Sequence, residues 1–414
     1  MSTDSIATGM GSTRSAQIWL LIGSGVVAAA QIGKAIISIP MIRADMAFGL
    51  DLAGLIVATF ATLGAFFGLG AGVVVRRSGV RRSLIVGMGA IMIGNLIGAA
   101  APNEFVLLTA RVIEGAGFFA TVLAIPRMLA RIVTGDERDF VMAMWSAYMP
   151  AGIMLMLLVG PLVPIIGWRN LWVTNALAAG ACGVLLAICA PRQTGATLVE
   201  PMDRFFSDVA RIVRDPRCLM LAVAFFAYSC LMFSLAFALP SLLTSRSDVA
   251  LGMAGMVSAL VLATSAIGNI SSGFLLRAGV PIWANIAAAF VGFAVSGFVV
   301  YAGTPSPAAI ALAAALALGV GGLAPGALYA AAPQAAPSPQ AVPPTIGLVQ
   351  QASNLGQFTG PLVLGLWVEH FGWRAAPAIV APAALFGLGV AFMIRGAMYC
   401  QAQIRQGQLE GKSK

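Results

Sequence analysis

Long apolar runs alternate with short polar breaks along almost the whole chain. A helix that crosses a bilayer needs about 20 mostly apolar residues. On that measure twelve runs qualify. The first six lie near 18–41, 52–75, 84–102, 105–126, 141–164 and 171–190. The second six lie near 218–240, 252–275, 282–302, 307–330, 346–368 and 376–395. Gly and Pro recur inside these runs, as membrane helices tolerate when neighbours satisfy the freed backbone groups. The first run interrupts its apolar pattern with Gln31 and Lys34. A cation at the centre of a span costs roughly 2.5–3.5 kcal/mol on insertion scales, so it is expected to face a bundle interior or a watery cavity.

Composition agrees with this reading. Of 414 residues, 59% are hydrophobic and 9% charged. A soluble domain carries about 25% charged residues. The net charge of +9 does not point to nucleic acid, because it sits in short clusters between apolar runs. Arg76, Arg77, Arg81, Arg82, Arg127, Arg131, Arg138 and the Arg-rich stretch 192–217 all fall on the side of the two termini. The loops on the other side hold only Arg43, Arg169, Arg246 and Arg374. The positive-inside rule then places both termini in the cytoplasm of a multi-pass inner (plasma) membrane protein. Trp19, Trp168, Trp172, Trp283 and Trp373 fall near expected interfaces, as aromatic belts do. The five cysteines form no CxxC, so neither a metal site nor a disulfide framework is expected.

The expected organisation is a polar tail (1–17), a six-helix bundle (18–190), a linker (191–217), a second bundle (218–395) and a second tail (396–414). The linker has an amphipathic stretch in which Phe206, Val209 and Val213 share a face. Ala331–Pro344 reads as a stiff Ala/Pro connector.

The halves echo each other about 200 residues apart. Pro40 recurs as Pro240, and Arg77-Ser-Gly79-Val as Arg277-Ala-Gly279-Val. Gly160-Pro161-Leu-Val recurs as Gly360-Pro361-Leu-Val, and Gly167-Trp168-Arg169 as Gly372-Trp373-Arg374. Six spans separate the copies, so both halves keep one orientation. Parallel six-span repeats imply two bundles with a site between them near mid-membrane.

These motifs resemble the major facilitator superfamily over essentially the whole chain. The loop Gly72-Val-Val-Val-Arg76-Arg77-Ser-Gly79-Val-Arg81-Arg82 is similar to the signature loop of that family. Arg76 stands where the family has an acid. Arg111-Val-Ile-Glu114 is similar to the family's basic motif on the fourth helix, and Gly356-Gln-Phe-Thr-Gly360-Pro361 to the glycine–proline motif of proton-driven exporters. In the fifth span Met156 replaces the first of those glycines. The resemblance implies an all-α membrane protein of twelve helices that works by alternating access. Gly72, Arg77, Gly79, Arg81, Gly360 and Pro361 are then its conformational motif residues.

Intramembrane ionisable groups are the first functional suspects. Lys34, Arg111 and Glu114 lie at similar depth, about 9–14 Å from one surface at 1.5 Å per residue. Together they carry one net positive charge, which favours an anionic substrate held by Lys34 or Arg111. Gln31 shares a helix face with Lys34. Glu114 either neutralises a cation or carries a coupled proton; a network that only holds the bundle together is the structural alternative. Tyr148, Tyr228, Asn354 and Gln357 complete the expected substrate-binding set, with Gln350, Asn354 and Gln357 forming a polar stripe. His370 reads as a solvated loop residue. No phosphate-cradling loop, dinucleotide glycine run or zinc-spaced cluster appears, so no enzyme, cofactor or metal is expected. The expectation is a monomeric secondary transporter, partnered by a small anionic substrate, protons and lipid, performing proton-coupled symport into the cell. The alternatives are a proton-driven drug or metabolite exporter and a membrane sensor that moves nothing.

Overall fold

A backbone inside lipid must satisfy its polar groups within the segment, so apolar runs of this length become helices. The structure is a computed structural model. It describes the backbone of residues 3–69, 79–133, 141–142, 144–145, 147–191, 202–302, 306–338 and 341–412. Side chains are described for these residues outside 3–13, 202–206, 208 and 398–412. Every regular element among the described residues is helical.

Eleven helices among the described residues are long and apolar enough to cross a membrane. They are α1 (Arg14–Met46), α2 (Leu50–Leu69), α3 (Val80–Ala99), α4 (Glu104–Ile132), α5 (Tyr148–Ile166) and α6 (Trp168–Cys189) in the first half. The second half has α7 (Pro216–Ser247), α8 (Leu251–Arg277), α9 (Ile282–Tyr301) and α10 (Pro307–Ala335). The eleventh position in the pattern is filled by α11 (Val342–Phe371), equally long but more polar. The last apolar helix is α12 (Trp373–Ala397). The multi-pass, all-helical expectation therefore stands.

The chain divides into two units. The first comprises Met1–Val199 with Ala236–Leu260, the second Glu200–Leu235 with Val261–Lys414. Within the first, α1 packs on α4, α5 and α6, while α3 packs on α4 and α6. Within the second, α9 packs on α10 and α12, and α10 on α11.

Lipid tails are as apolar as leucine, so close approach rather than burial holds such helices together. Glycines supply it. In the second unit a Cβ at Gly356 would strike the Phe226 carbonyl and Ser229, and one at Gly360 would strike Cys230 and Ser234. The Gly-x-x-x-Gly stripe of α11 thus seats on α7. In the first unit the small residues are shared differently. Gly152 of α5 lies against Val26, Ala29 and Ala30, whereas Gly33 of α1 lies against Ile153 and Met156. Met156 is therefore accommodated by a glycine on the facing helix.

Polar side chains close several helix ends, whose last carbonyls lack partners within the helix. Arg81 donates to the carbonyls of Ala187 and Ala190 at the end of α6. Arg14 Nε reaches the Ile132 carbonyl at 3.0 Å, and Gln17 Nε2 the Cys189 carbonyl at 2.8 Å. In the Gly-Trp-Arg motif, Gly167 has φ +80°, a conformation glycine adopts without strain. Arg169 caps Ala99 and Ala101 at 3.0 and 2.8 Å and pairs with Asp45 at 3.0 Å. Trp168 Nε1 donates to the same carboxylate at 3.2 Å.

Four details differ from the sequence pattern. The first helix begins at Thr3, inside the expected tail, and the last continues to Lys412. The expected connector is mostly helical, because α10 runs to Ala335 and α11 starts at Val342. In the linker helix Met202–Arg214, Ile212 is buried and Val213 exposed. That helix docks on α11, and the contact selects a face one residue away from the expected one. Trp168 and Trp172 are buried rather than interfacial. Beside the linker, a hydrogen bond from Arg217 holds the Asp215 carboxyl below its ordinary range.

Replacing Gly356 or Gly360 with Leu forces α11 off α7. Overpacking of this kind costs about 1–3 kcal/mol. Each variant melts earlier than wild type in detergent, whereas Gly389→Ala, with open space around it, melts as wild type does.

Candidate functional site: a sealed ion cluster in the first bundle

Three of the intramembrane polar residues expected from sequence meet a fourth, Lys34, in the middle of the first unit. Lys34, Gln31, Arg111 and Glu114 are all fully buried. Lys34 Nζ donates to Glu114 Oε1 at 2.8 Å and to Asn95 Oδ1 at 2.5 Å. The ammonium also sits 3.6 Å from the ring centroid of Trp172, a cation–π geometry. Arg111 Nη1 bonds the other Glu114 oxygen and the Gln31 carbonyl, and its Nε donates to the Ile56 carbonyl at 3.2 Å. Its guanidinium carbon lies 4.6 Å from the Phe60 ring centroid.

Neutral amides extend the cluster. Asn95 Nδ2 donates to Gln31 Oε1 at 2.9 Å. Gln31 Nε2 donates to Asn175 Oδ1 at 3.2 Å. Four helices are thus tied together by side-chain bonds: α1, α3, α4 and α6. Glycines make the room. A Cβ at Gly94 would strike Glu114, and one at Gly98 would strike the Trp172 ring. Two buried donors of the cluster, Arg111 Nη2 and Trp172 Nε1, have no acceptor among the described residues.

Sequence reasoning placed Lys34, Gln31, Arg111 and Glu114 together by depth and helix face. It passed over Asn95 and Asn175, although an amide inside an apolar run is the same kind of signal. It assigned Trp172 to an interface, because a tryptophan near a run's end does not reveal which way it points.

The remaining candidates lie elsewhere. Tyr148 stacks on Trp145 with ring centroids 4.1 Å apart, so the pair occupy each other's faces. In the second unit Tyr228 is buried against Phe225 and Phe293. Asn354 and Gln357 are buried and bonded to each other at 3.3 Å. Ser229 and Ser353 pair at 2.8 Å. Tyr329, missed in the sequence, bonds Gln350 and remains 38% exposed. Gly79 opens α3 with φ +83°. Gly72 and Arg77 lie outside the described residues. Gly360 and Pro361 are buried on α11. His370 is exposed, with Nδ1 2.9 Å from the Leu366 carbonyl.

A chain of stacked apolar helices with an ionic cluster buried among them has the architecture of a multi-pass membrane protein. The family is shown directly: the model of the Major Facilitator Superfamily matches residues 21–338, and the chain belongs to that superfamily. Among curated proteins it resembles the major facilitator superfamily multidrug transporter mfsC of Aspergillus fumigatus, 26% identical over 39% of this chain and 32% of that one. It also resembles the multidrug resistance protein Stp of Mycobacterium tuberculosis, 28% identical over 37% of this chain and 29% of that one. The chain thus spans about a third of the length of these relatives. Among solved structures, it is similar in fold to a bacterial homolog of the human lysosomal transporter Spinster in an inward-facing, occupied conformation. That match has a TM-score of 0.74 at 14% identity and covers 91% of this chain and 96% of the other. The inward-facing, unoccupied form of that homolog matches with a TM-score of 0.70 at 15% identity, over 93% and 95% of the two chains.

Removing one partner of a buried ion pair leaves an uncompensated charge and costs about 3–5 kcal/mol. Glu114→Ala, which strands the buried Arg111 guanidinium, is expected to lose that much, seen as collapse of the monodisperse peak in detergent. Asn95→Ala loses about 1–3 kcal/mol, the range for stranding a buried hydrogen-bond partner, and still folds.

Proposed function

We propose that the chain is a proton-coupled secondary transporter that exports amphipathic organic compounds by alternating access, with the Lys34–Glu114–Arg111 cluster as its coupling centre. The observation that carries this reading is the sealing of the cluster. Both Glu114 oxygens are taken and the Lys34 ammonium is bonded to protein, so neither end of that ion pair is free for a substrate in this conformation. Ionisable groups buried at membrane depth serve ion coupling as readily as cargo binding. The half-exposed Tyr329 and its partner Gln350 in the second unit then meet the cargo. The names of the two curated relatives, a multidrug transporter and a multidrug resistance protein, support a drug-like cargo.

The second reading is proton-coupled uptake of a small organic anion. It is favoured by the single net positive charge of the cluster, which an incoming carboxylate would offset by displacing Glu114.

Cells expressing the protein separate these readings. With export, ethidium accumulation falls several-fold and recovers when a protonophore collapses the gradient. With uptake, benzoate accumulation rises instead. If ligands bind the purified protein and neither flux appears in proteoliposomes under an imposed pH gradient, the chain is a sensor and the proposal fails. Lys34→Ala is expected to abolish flux at wild-type expression; flux at the wild-type rate would remove Lys34 from the coupling centre.

A further inference from the structure

The cluster holds two cations and one anion, sealed from solvent on every side. An unbalanced charge at membrane depth is strongly disfavoured. Charge balance therefore asks which group changes protonation when the cluster closes. The groups facing Lys34 can be named from each helix packed on it. Helix α4 presents Glu114 and Arg111, α3 presents the neutral Asn95, and α6 presents the neutral Trp172 and Asn175. Helix α2, which also packs on α1, brings to the cluster the Ile56 carbonyl and the Phe60 ring, both against Arg111, and the α5 neighbours of this part of α1 are Ile153 and Met156; none of these titrates.

Protonating Glu114 would remove the one anion. Two cations would stay behind in a sealed space, and bonds from Lys34 and Arg111 would be lost. Deprotonating Lys34 has the opposite effect. The Arg111–Glu114 pair remains and is neutral, and the amine still donates to Asn95 or Glu114. Arginine cannot take this role, because its guanidinium keeps its proton in proteins. We propose that Lys34, not Glu114, is the proton carrier of this chain: its ammonium gives up a proton as the cluster seals and regains one when the cluster opens to water. The proton passes to water as hydronium on the side from which the cluster closes, and another is taken up from the opposite side when the cluster next opens there, so one proton crosses per cycle. The inference rests on the coupling role proposed above for this cluster.

Trp172 provides the readout, since its ring lies directly under the ammonium. The emission of the full-length protein in detergent, minus that of Trp172→Phe, is followed from about pH 5 to about pH 10, a range that spans carboxylate to lysine titration. Wild type is expected to show one step, accompanied by release of one proton. Lys34→Met and Lys34→Gln are expected to fold, because the fold accepts a neutral group there, and to show no step. Four results would overturn the proposal. One is a wild type without a step. Another is a step that persists in folded Lys34→Met. A third is a step that appears with chloride and vanishes with gluconate, which would place an anion against Arg111 and Trp172. The last is failure of both neutral variants to fold, which would mean that the sealed cluster needs the charge. The titration needs neither cargo nor flux. A step without flux would therefore sink the transport reading and leave this one standing, and flux without a step would do the reverse.

Discussion

The contact between Lys34 Nζ and the Glu114 carboxylate organises the first bundle. A carboxylate at that depth is tolerated because Arg111 and Lys34 meet its two oxygens. The pair fixes the rotation of α1 against α4, and Asn95 and Trp172 then fix α3 and α6 around the same point. Buried hydrogen-bonded networks specify one arrangement more sharply than apolar packing does. A bundle whose helices otherwise meet through Ala, Gly and Ile gains its register from these few polar atoms.

The second unit is built differently. Among the described residues its buried polar contacts are neutral, among them Ser229 on Ser353 between α7 and α11, and Asn354 on Gln357 within α11. A contact of the first kind, between membrane helices, contributes about 0.6 kcal/mol on average. Register there comes from backbone contact, through Gly356 and Gly360 on α7 and through Gly268 against Gly319 between α8 and α10. The two halves repeat in sequence but are held by different forces. One half is tied by a charged network, and the other by steric fit.

Much of this was legible in the residues. Twelve apolar runs, their polar breaks and the internal repeat gave the helix count and the family resemblance. Equal depth and shared helix faces brought Lys34, Gln31, Arg111 and Glu114 to one point. What the sequence left open is what depends on direction. A one-dimensional pattern shows that Trp172 is near a run's end but not that it turns inward under Lys34. It shows that Met156 departs from the motif but not that Gly33 faces it. The linker face slipped by one residue, from Val213 to Ile212, because the surface it meets is protein, set by α11. The accessibility of Lys34 was also beyond reach, since an opening and a sealed pocket are lined by the same residue types.

The polarity of α11 has a bearing on how the chain enters the membrane during synthesis. With Gln350, Gln351, Asn354 and Gln357 on two successive turns, this segment partitions into lipid less readily than the other spans. Its glycine stripe finds its complement on α7, which precedes it in the chain. Biogenesis of the second bundle therefore has an order built in. Stable integration of the eleventh segment then depends on contact with the seventh, a helix made earlier in the chain.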